Sequence, residues 1–591
     1  MAKPTTAADL SEWDFPKLRT TFQMTLDSEG TDEAEFFDVK FYPYGSINAP
    51  PVFAATSKKH AVICRLKDIG EKEKDKNPCE ILRVIRDDDE TARNCTCCWS
   101  KDPVTGAPWL LVAGNDAKIK IYDVVEGKLV RTLVGHGGGI NDITTSPANP
   151  AIIASASDDT TVRIWSLDKV HSSQPCVAIL GGEGHIYDLL SVAFHRTGRY
   201  LLSAGHDQWI NLWTLPDIPN KPVDMPIVLH YPHFASCEVH GNLVDCVAFY
   251  GDMILSRACH EDKIVLWRVE GFDSGNPPLP PLGAPTNFDP KEQTRSAFAK
   301  VSPPNRYALF TRLLQFSTPD CHSQFFMRFR MFHTQNKHPI LAFANAKSKT
   351  FFWDMNRFRE YNRFIDALDD HEEANKSKET PNGRPPAPEK PHWLLVKKGK
   401  APNPRAVTGG AGGAGDKNSM ATASPDPDNV IGLGGYNQRT LTEWAEMYET
   451  GNPQALIRCH KQNTIDGSFV GRQVAWSPEG DWCVVVGNQN NAILYHRWGK
   501  DTKGASSKDR KGSTPVPTVT VTNGSGNRNG TGTAHPFSGG SGGSGGGGVL
   551  APPPAGQPVV LPVVGAASSA GTTYMYGPPD ATPGLFDPQA A

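Results

Sequence analysis

Residues 135–165 read GHGGGINDITTSPANPAIIASASDDTTVRIW, and this stretch decides the fold. Gly135-His136 is followed by Ser155-Ala156-Ser157, by Asp159, and by Trp165 six residues after that aspartate. The pattern returns as Gly184-His185, Ser203, Asp207 and Trp213, again with a gap of six. A third copy is His240-Gly241, Ser256, Glu261 and Trp267. The tryptophans are 48 and 54 residues apart, as short insertions in a repeat of forty-odd residues would make them.

This is the signature of a WD repeat, in which each copy is a four-stranded blade. A blade cannot bury its faces alone, so blades stack into a ring around a channel, and an N-terminal strand completes the last one. The His, Ser, acid and Trp positions predict a buried hydrogen-bond chain pinning the loops of each blade. An unpaired member of such a chain costs about 1–3 kcal/mol. His136, His185 and His240 are therefore read as scaffold residues, not as metal ligands or acid–base catalysts.

Outward from these copies, alternating runs at 36–41, 52–56 and 61–66 make a first blade, and 95–122 a second. In the second, Asp116 stands six residues before Tyr122, the same pitch with Tyr in the Trp slot. A degenerate sixth blade spans 325–354 and a seventh 471–495. The expected fold is all-β, a seven-bladed WD-repeat β-propeller over 32–498. A polar, flexible arm precedes it at 1–31, with a charged loop at 71–76. Residues 274–322 are read as a connection between blades five and six. An insertion at 355–467, low-complexity in its middle and helical at 357–375 and 440–449, separates blades six and seven. The Gly-, Ser- and Pro-rich stretch 499–591 reads as a disordered tail.

Bulk properties narrow the function. A net charge of −3 over 591 residues gives no broad affinity for nucleic acid or anionic lipid, and no partner of sequence-specific nucleic-acid type is expected. No apolar run of eighteen or more occurs and the N-terminus lacks an apolar signal core, so neither a membrane partner nor standard secretion is expected. The twelve cysteines sit mostly in strand patterns, which fits reduced thiols. Cys95-Thr96-Cys97-Cys98 contains a C-x-x-C but no second pair at zinc-ligand spacing, and reads as a strand. The basic runs at 397–400 and 508–511, and the glycine run at 539–548, read as linkers. No cofactor is expected. The ring carries no nucleophile elbow, phosphate loop, zinc-protease helix or paired-acid motif, so it is read as a binding platform and not an enzyme.

Five stretches then resemble one family. They are Leu133 to Asp142 (LVGHGGGIND), Ile179 to His185 (ILGGEGH), His240 to Val247 (HGNLVDCV), Gly251 to Ser256 (GDMILS) and Phe326 to Phe329 (FMRF). They are similar to their counterparts in the extra-sex-combs/EED family of Polycomb repressive complex 2, over roughly 35–355 and 468–498. The resemblance implies a nuclear, non-catalytic scaffold and histone-mark reader. One face would hold a helix of an E(z)-type histone methyltransferase, alongside a Su(z)12-type subunit. The mouth of the channel on the other face would bind the trimethylated histone H3 tail and stimulate the methyltransferase.

Residue by residue, the resemblance puts the methyl-lysine cage on Phe53, Cys95, Phe325 and Phe326, with Cys95 where the family has tyrosine. It puts peptide contacts at Asn141, Asp158, Leu243 and Arg328. The chemistry asks for aromatic faces because a quaternary ammonium has no N–H to donate. Ring quadrupoles hold it, at about 0.5–2 kcal/mol each. An assembly scaffold with a vestigial cage is the alternative that Cys95 allows. A WD-repeat substrate receptor of a ubiquitin ligase is the other; it should carry an adaptor-binding element ahead of the ring, for which 1–31 is too short.

Overall fold

A computed structural model describes residues 15–25, 35–67, 77–286, 292–299, 309–321, 324–334, 337–376, 386–396, 432–497 and 518–522. These form seven sheets of four or five strands. Their inner strands are Phe36–Phe41, Asn94–Lys101, Ile140–Thr145, Leu189–Phe194, Val244–Tyr250, Arg330–Phe332 and Gly471–Trp476, one for each of blades one to seven. Each pairs antiparallel with the next strand in sequence, as a meander requires. The core lies between neighbouring blades. Ile119 and Ile121 of blade two, for example, pack in one cluster with Ile143, Ile153 and Trp165 of blade three.

Glycine closes the second strand where blades crowd their own entry. A Cβ on Gly114 would lie 2.1 Å from the Arg93 carbonyl oxygen, and one on Gly205 2.2 Å from that of Asp188. No side chain fits there.

Several outer strands come from segments that the sequence pattern leaves outside the ring. The arm expected to be flexible over 1–31 supplies Lys17–Thr25, which pairs with Asn491–His496 and closes blade seven. Phe22 and Met24 are buried there, so a polar-looking segment still carries an apolar stripe of period two. The connection 274–322 supplies Phe310–Ser317, the fourth strand of blade five. Within the insertion, Lys461–Thr464 completes blade six. Thr518–Thr522, a run of β-branched residues in the tail expected to be disordered, lies parallel to Lys17–Thr25. The loop at 71–76, residues 397–431 and the rest of 499–591 lie outside the described residues.

The insertion forms two helices, α1 (Met355–Lys376) and α2 (Gln438–Tyr448). They bury Tyr361, Phe364 and Leu368 against Leu394, Trp444 and Tyr448. The Asn437 side chain caps α2 by accepting from the Thr440 amide at 2.8 Å. Arg357 of α1 lies over Phe15 at 4.4 Å and over Trp393 at 5.1 Å, tying the insertion to the start of the closing strand.

Candidate functional site at the channel mouth

The expected hydrogen-bond chains are present in blades three, four and five. In blade four, His185 Nδ1 lies 2.9 Å from Asp207 and Nε2 lies 2.7 Å from Ser203 Oγ, while Trp213 Nε1 donates to the same Oγ at 2.8 Å. A carboxylate can only accept, so Nδ1 donates to Asp207. Blades three (His136, Asp159, Ser155, Trp165) and five (His240, Glu261, Ser256, Trp267) repeat the arrangement. Burial lowers the His136 pKa, against the opposing pull of Asp159.

Blade two differs from its sequence pattern. Asp116 meets no histidine. It pairs with Lys120 at 2.8 Å, and Lys120 also reaches Asp87 at 2.5 Å. An ion cluster does there what a histidine does elsewhere.

The mouth of the channel is built by a recurring irregularity. Six of the seven inner strands carry a register shift near their start, centred on Phe37, Cys95, Asn141, Leu190, Asp245 and Arg472. An unpaired bulge residue leaves the ladder and can be re-aimed. In blades one to four the residue after the bulge (Asp38, Thr96, Asp142 and Ser191) joins a polar belt between blades. Thr96 Oγ1 donates to Asp38 at 3.2 Å, and Asp142 accepts from the Val192 amide at 3.0 Å; the Val247 amide donates to Ser191 Oγ at 3.2 Å.

This register corrects one expected site residue. Phe53 lies on the second strand of blade one, 0% exposed, its ring 5.6 Å from that of Phe41 inside the core. It cannot reach a ligand. The half-buried aromatic of the inner strand Phe36–Phe41 is Phe37, at the bulge position that Cys95 holds in blade two. Phe36 and Phe37 are adjacent, and the sequence alone does not say which faces the core. The bulge does.

Phe325 and Phe326 are both half-buried, with ring centroids 4.8 Å apart at 37°. Phe326 has φ of 56°, a left-handed conformation rarely adopted by a bulky residue and costing about 1–3 kcal/mol. Its neighbours hold it there. Arg257 donates to Asp245 at 2.5 Å, to the Met327 carbonyl at 3.3 Å and to the Gln324 carbonyl at 3.4 Å. Arg472 donates to the Phe325 carbonyl at 2.7 Å and to Glu35 at 2.5 Å, linking the pair to the start of blade one.

Arg328, expected to contact a peptide, is instead 6% exposed and turned into the channel. It donates to Asp142 at 3.0 Å and to the carbonyls of Asn141 (3.0 Å) and Leu190 (2.8 Å), across the ring from its own blade. Burial would lower its pKa, but Asp142 and Asp38 raise it, so it stays charged. With its guanidinium 5.4 Å from the Phe326 ring, it floors the mouth. Cys95 Sγ lies 3.2 Å from the Ile140 carbonyl, and burial pushes its thiol up to about 12, so it is a neutral wall. Asn141 donates to Asp158 at 2.6 Å and to the Leu189 carbonyl at 2.8 Å. Asp158 is exposed and forms no ion pair among the described residues. Leu243 is half-buried, and its carbonyl accepts from the Cys259 amide.

The mouth thus combines aromatic rings, a neutral thiol, one carboxylate and a paired cation as its floor. It offers rings and an acid to a cation, and no nucleophile with an activating base.

Comparison with known proteins agrees with this architecture. The WD domain, G-beta repeat model matches residues 127–166 and 174–214. The Polycomb protein EED of Chaetomium thermophilum is 55% identical over 566 residues, covering 84% of this chain and 98% of that protein. The Polycomb protein esc of Drosophila melanogaster is 27% identical over 356 residues, 58% of this chain and 74% of its own. Among solved structures, a chain of the Chaetomium thermophilum Polycomb repressive complex 2 superposes with a TM-score of 0.74 at 58% identity, covering 83% of this chain and all of that one. A chain of ctPRC2 in complex with H3K27me3 and H3K27M superposes with a TM-score of 0.74 at 59% identity, covering 83% of this chain and 99% of that one. Sharing more than half its residues with a relative that it spans almost end to end, this chain belongs to the EED family of Polycomb proteins.

Proposed function

We propose that the channel mouth binds the trimethyl-lysine of a histone H3 tail within a Polycomb-type histone methyltransferase complex, where this chain is the non-catalytic scaffold and mark reader. Binding there stimulates an E(z)-type catalytic subunit, one helix of which the opposite face holds, beside a Su(z)12-type subunit. The working location is chromatin, and hence the nucleus. The relatives support the reading, because chains of the same family occur in Polycomb repressive complex 2, including one structure with H3K27me3.

One observation carries the site assignment: Phe325 and Phe326 stand half-exposed at the mouth, with Phe326 in a left-handed backbone conformation that packing alone would not favour. The cage is then Phe37, Phe325 and Phe326, closed by Cys95 where an aromatic would be stronger. Asn141 and Asp158, at the rim, contact the peptide, with Leu243 beside them. Arg328 holds the floor and does not touch the tail.

Calorimetry with H3 tail peptides, unmethylated and trimethylated at the Polycomb site, tests this. A preference for the methylated peptide is expected. Phe37→Ala, Phe325→Ala and Phe326→Ala should each weaken it by about 2- to 30-fold, one ring's worth. Equal affinity for both peptides would remove the reader and leave the assembly scaffold.

A further inference from the structure

Arg328 divides the channel. Below it, toward the face where the inner strands end, lies a second cavity of about 440 Å³. Its wall includes Lys40 of blade one, Arg196 of blade four, and Arg330 and His333 of blade six. The single acid in the lining, Asp142, is neutralised by Arg328. Lys40 is paired with Asp38 at 3.1 Å. Arg196 and Arg330 are exposed and form no ion pair among the described residues. Burial and the nearby Arg196 both lower the His333 pKa, which places that guanidinium close to the ring.

Two buried polar atoms of residues lining this cavity, Arg328 Nε and Gln473 Oε1, have no hydrogen-bond partner. Gln473 is 3% exposed. Of the two, Arg328 Nε is a donor whose unmade bond is costly, whereas Gln473 Oε1 is an acceptor and offers nothing to an anion; a wall of one sign concentrates counter-ions. Thr144 and Thr334 add hydroxyls to the lining.

We infer that this lower cavity is a binding site for a small polyphosphate, with Arg196 and Arg330 as its principal ligands and Lys40 and His333 flanking. The volume falls within the range of small-molecule pockets, about 300–1,000 Å³, and is too small for a folded partner. The arginines present forked donors that match phosphate oxygens in pairs. Nothing in this site overlaps the rings at the upper mouth.

Sodium tripolyphosphate is the probe, titrated by calorimetry into the full chain at constant ionic strength, with inorganic phosphate and sulfate as separate arms. One saturable site is expected, tighter for tripolyphosphate than for either small anion. The double variant Arg196→Ala/Arg330→Ala should weaken it about tenfold or more. Lys128→Ala, a cation on the outer edge of blade two, should not change it. Binding of the H3 peptides is measured on the same variants and should be unaffected, which separates this site from the reader. Absence of saturable binding, equal affinity in the double variant, or several equivalent weak sites would each overturn the inference.

Discussion

In blade four every polar atom of the His185–Asp207–Ser203–Trp213 chain has its partner inside the blade. At the channel mouth, Phe326 holds a left-handed backbone only because groups from blades three, five and seven converge on its segment. The first arrangement recurs with nearly the same distances in three blades, and the second occurs once. Repetition makes a part self-sufficient, whereas a binding surface at the centre of a ring needs each blade to contribute something different. Cys95, Asn141 and Arg472 hold equivalent bulge positions and share no chemistry.

The strongest way to break that contrast is Asp245→Ala. It strands the fully buried Arg257 guanidinium, which also holds the Gln324 and Met327 carbonyls. Loss of one partner of a buried pair costs about 3–5 kcal/mol. Chemical denaturation should show that loss, and methyl-peptide affinity should fall with it because the Phe325–Phe326 segment is released. If affinity survived at full occupancy of the folded state, the mouth would be self-sufficient after all.

Acid tests the other side. Burial alone would raise the Glu261 pKa, but hydrogen bonds from His240 and the Gly241 amide hold it down at about 2, against 4.5 for the free side chain. A depressed carboxylate stabilises the fold above its unfolded pKa and loses that contribution as pH falls through the folded one. Burial lowers the His136 pKa, so protonation also opposes the folded state in acid. Thermal unfolding between pH 5 and 2 should show a steady fall in Tm, shallower in Glu261→Gln than in the parent. Identical slopes would mean that the tetrad acid is not a source of acid lability.

The smallest effect sharpens the mouth itself. Cys95→Tyr should restore a ring to the wall and tighten the trimethylated peptide by up to about 30-fold. Unchanged affinity would place residue 95 outside the cage.

Much of the ring was legible because its signals are local. A six-residue Asp-to-Trp pitch survives any loop length, so blades three to five could be counted from the chain. The helical insertion was legible at its ends, where apolar residues recur with helical spacing. Strands Lys17–Thr25, Phe310–Ser317 and Lys461–Thr464 were not. Each lies far in sequence from the strands it pairs with and outside the repeat's own motif, so no local spacing announces it.

The amino-acid sequence by itself determined the repeat, the scaffold histidines and the family, since all three rest on residue identity at fixed spacing. Only the tertiary structure decided which phenylalanine of blade one stands clear of the core. A one-residue bulge moves Phe37 out of the ladder, while Phe53, equally aromatic and equally strand-like, is sealed in the core. It also decided that Arg328 floors the site and does not grasp a ligand. Its partners Asp142, Asn141 and Leu190 lie 138 to 187 residues away and meet it only when the ring closes.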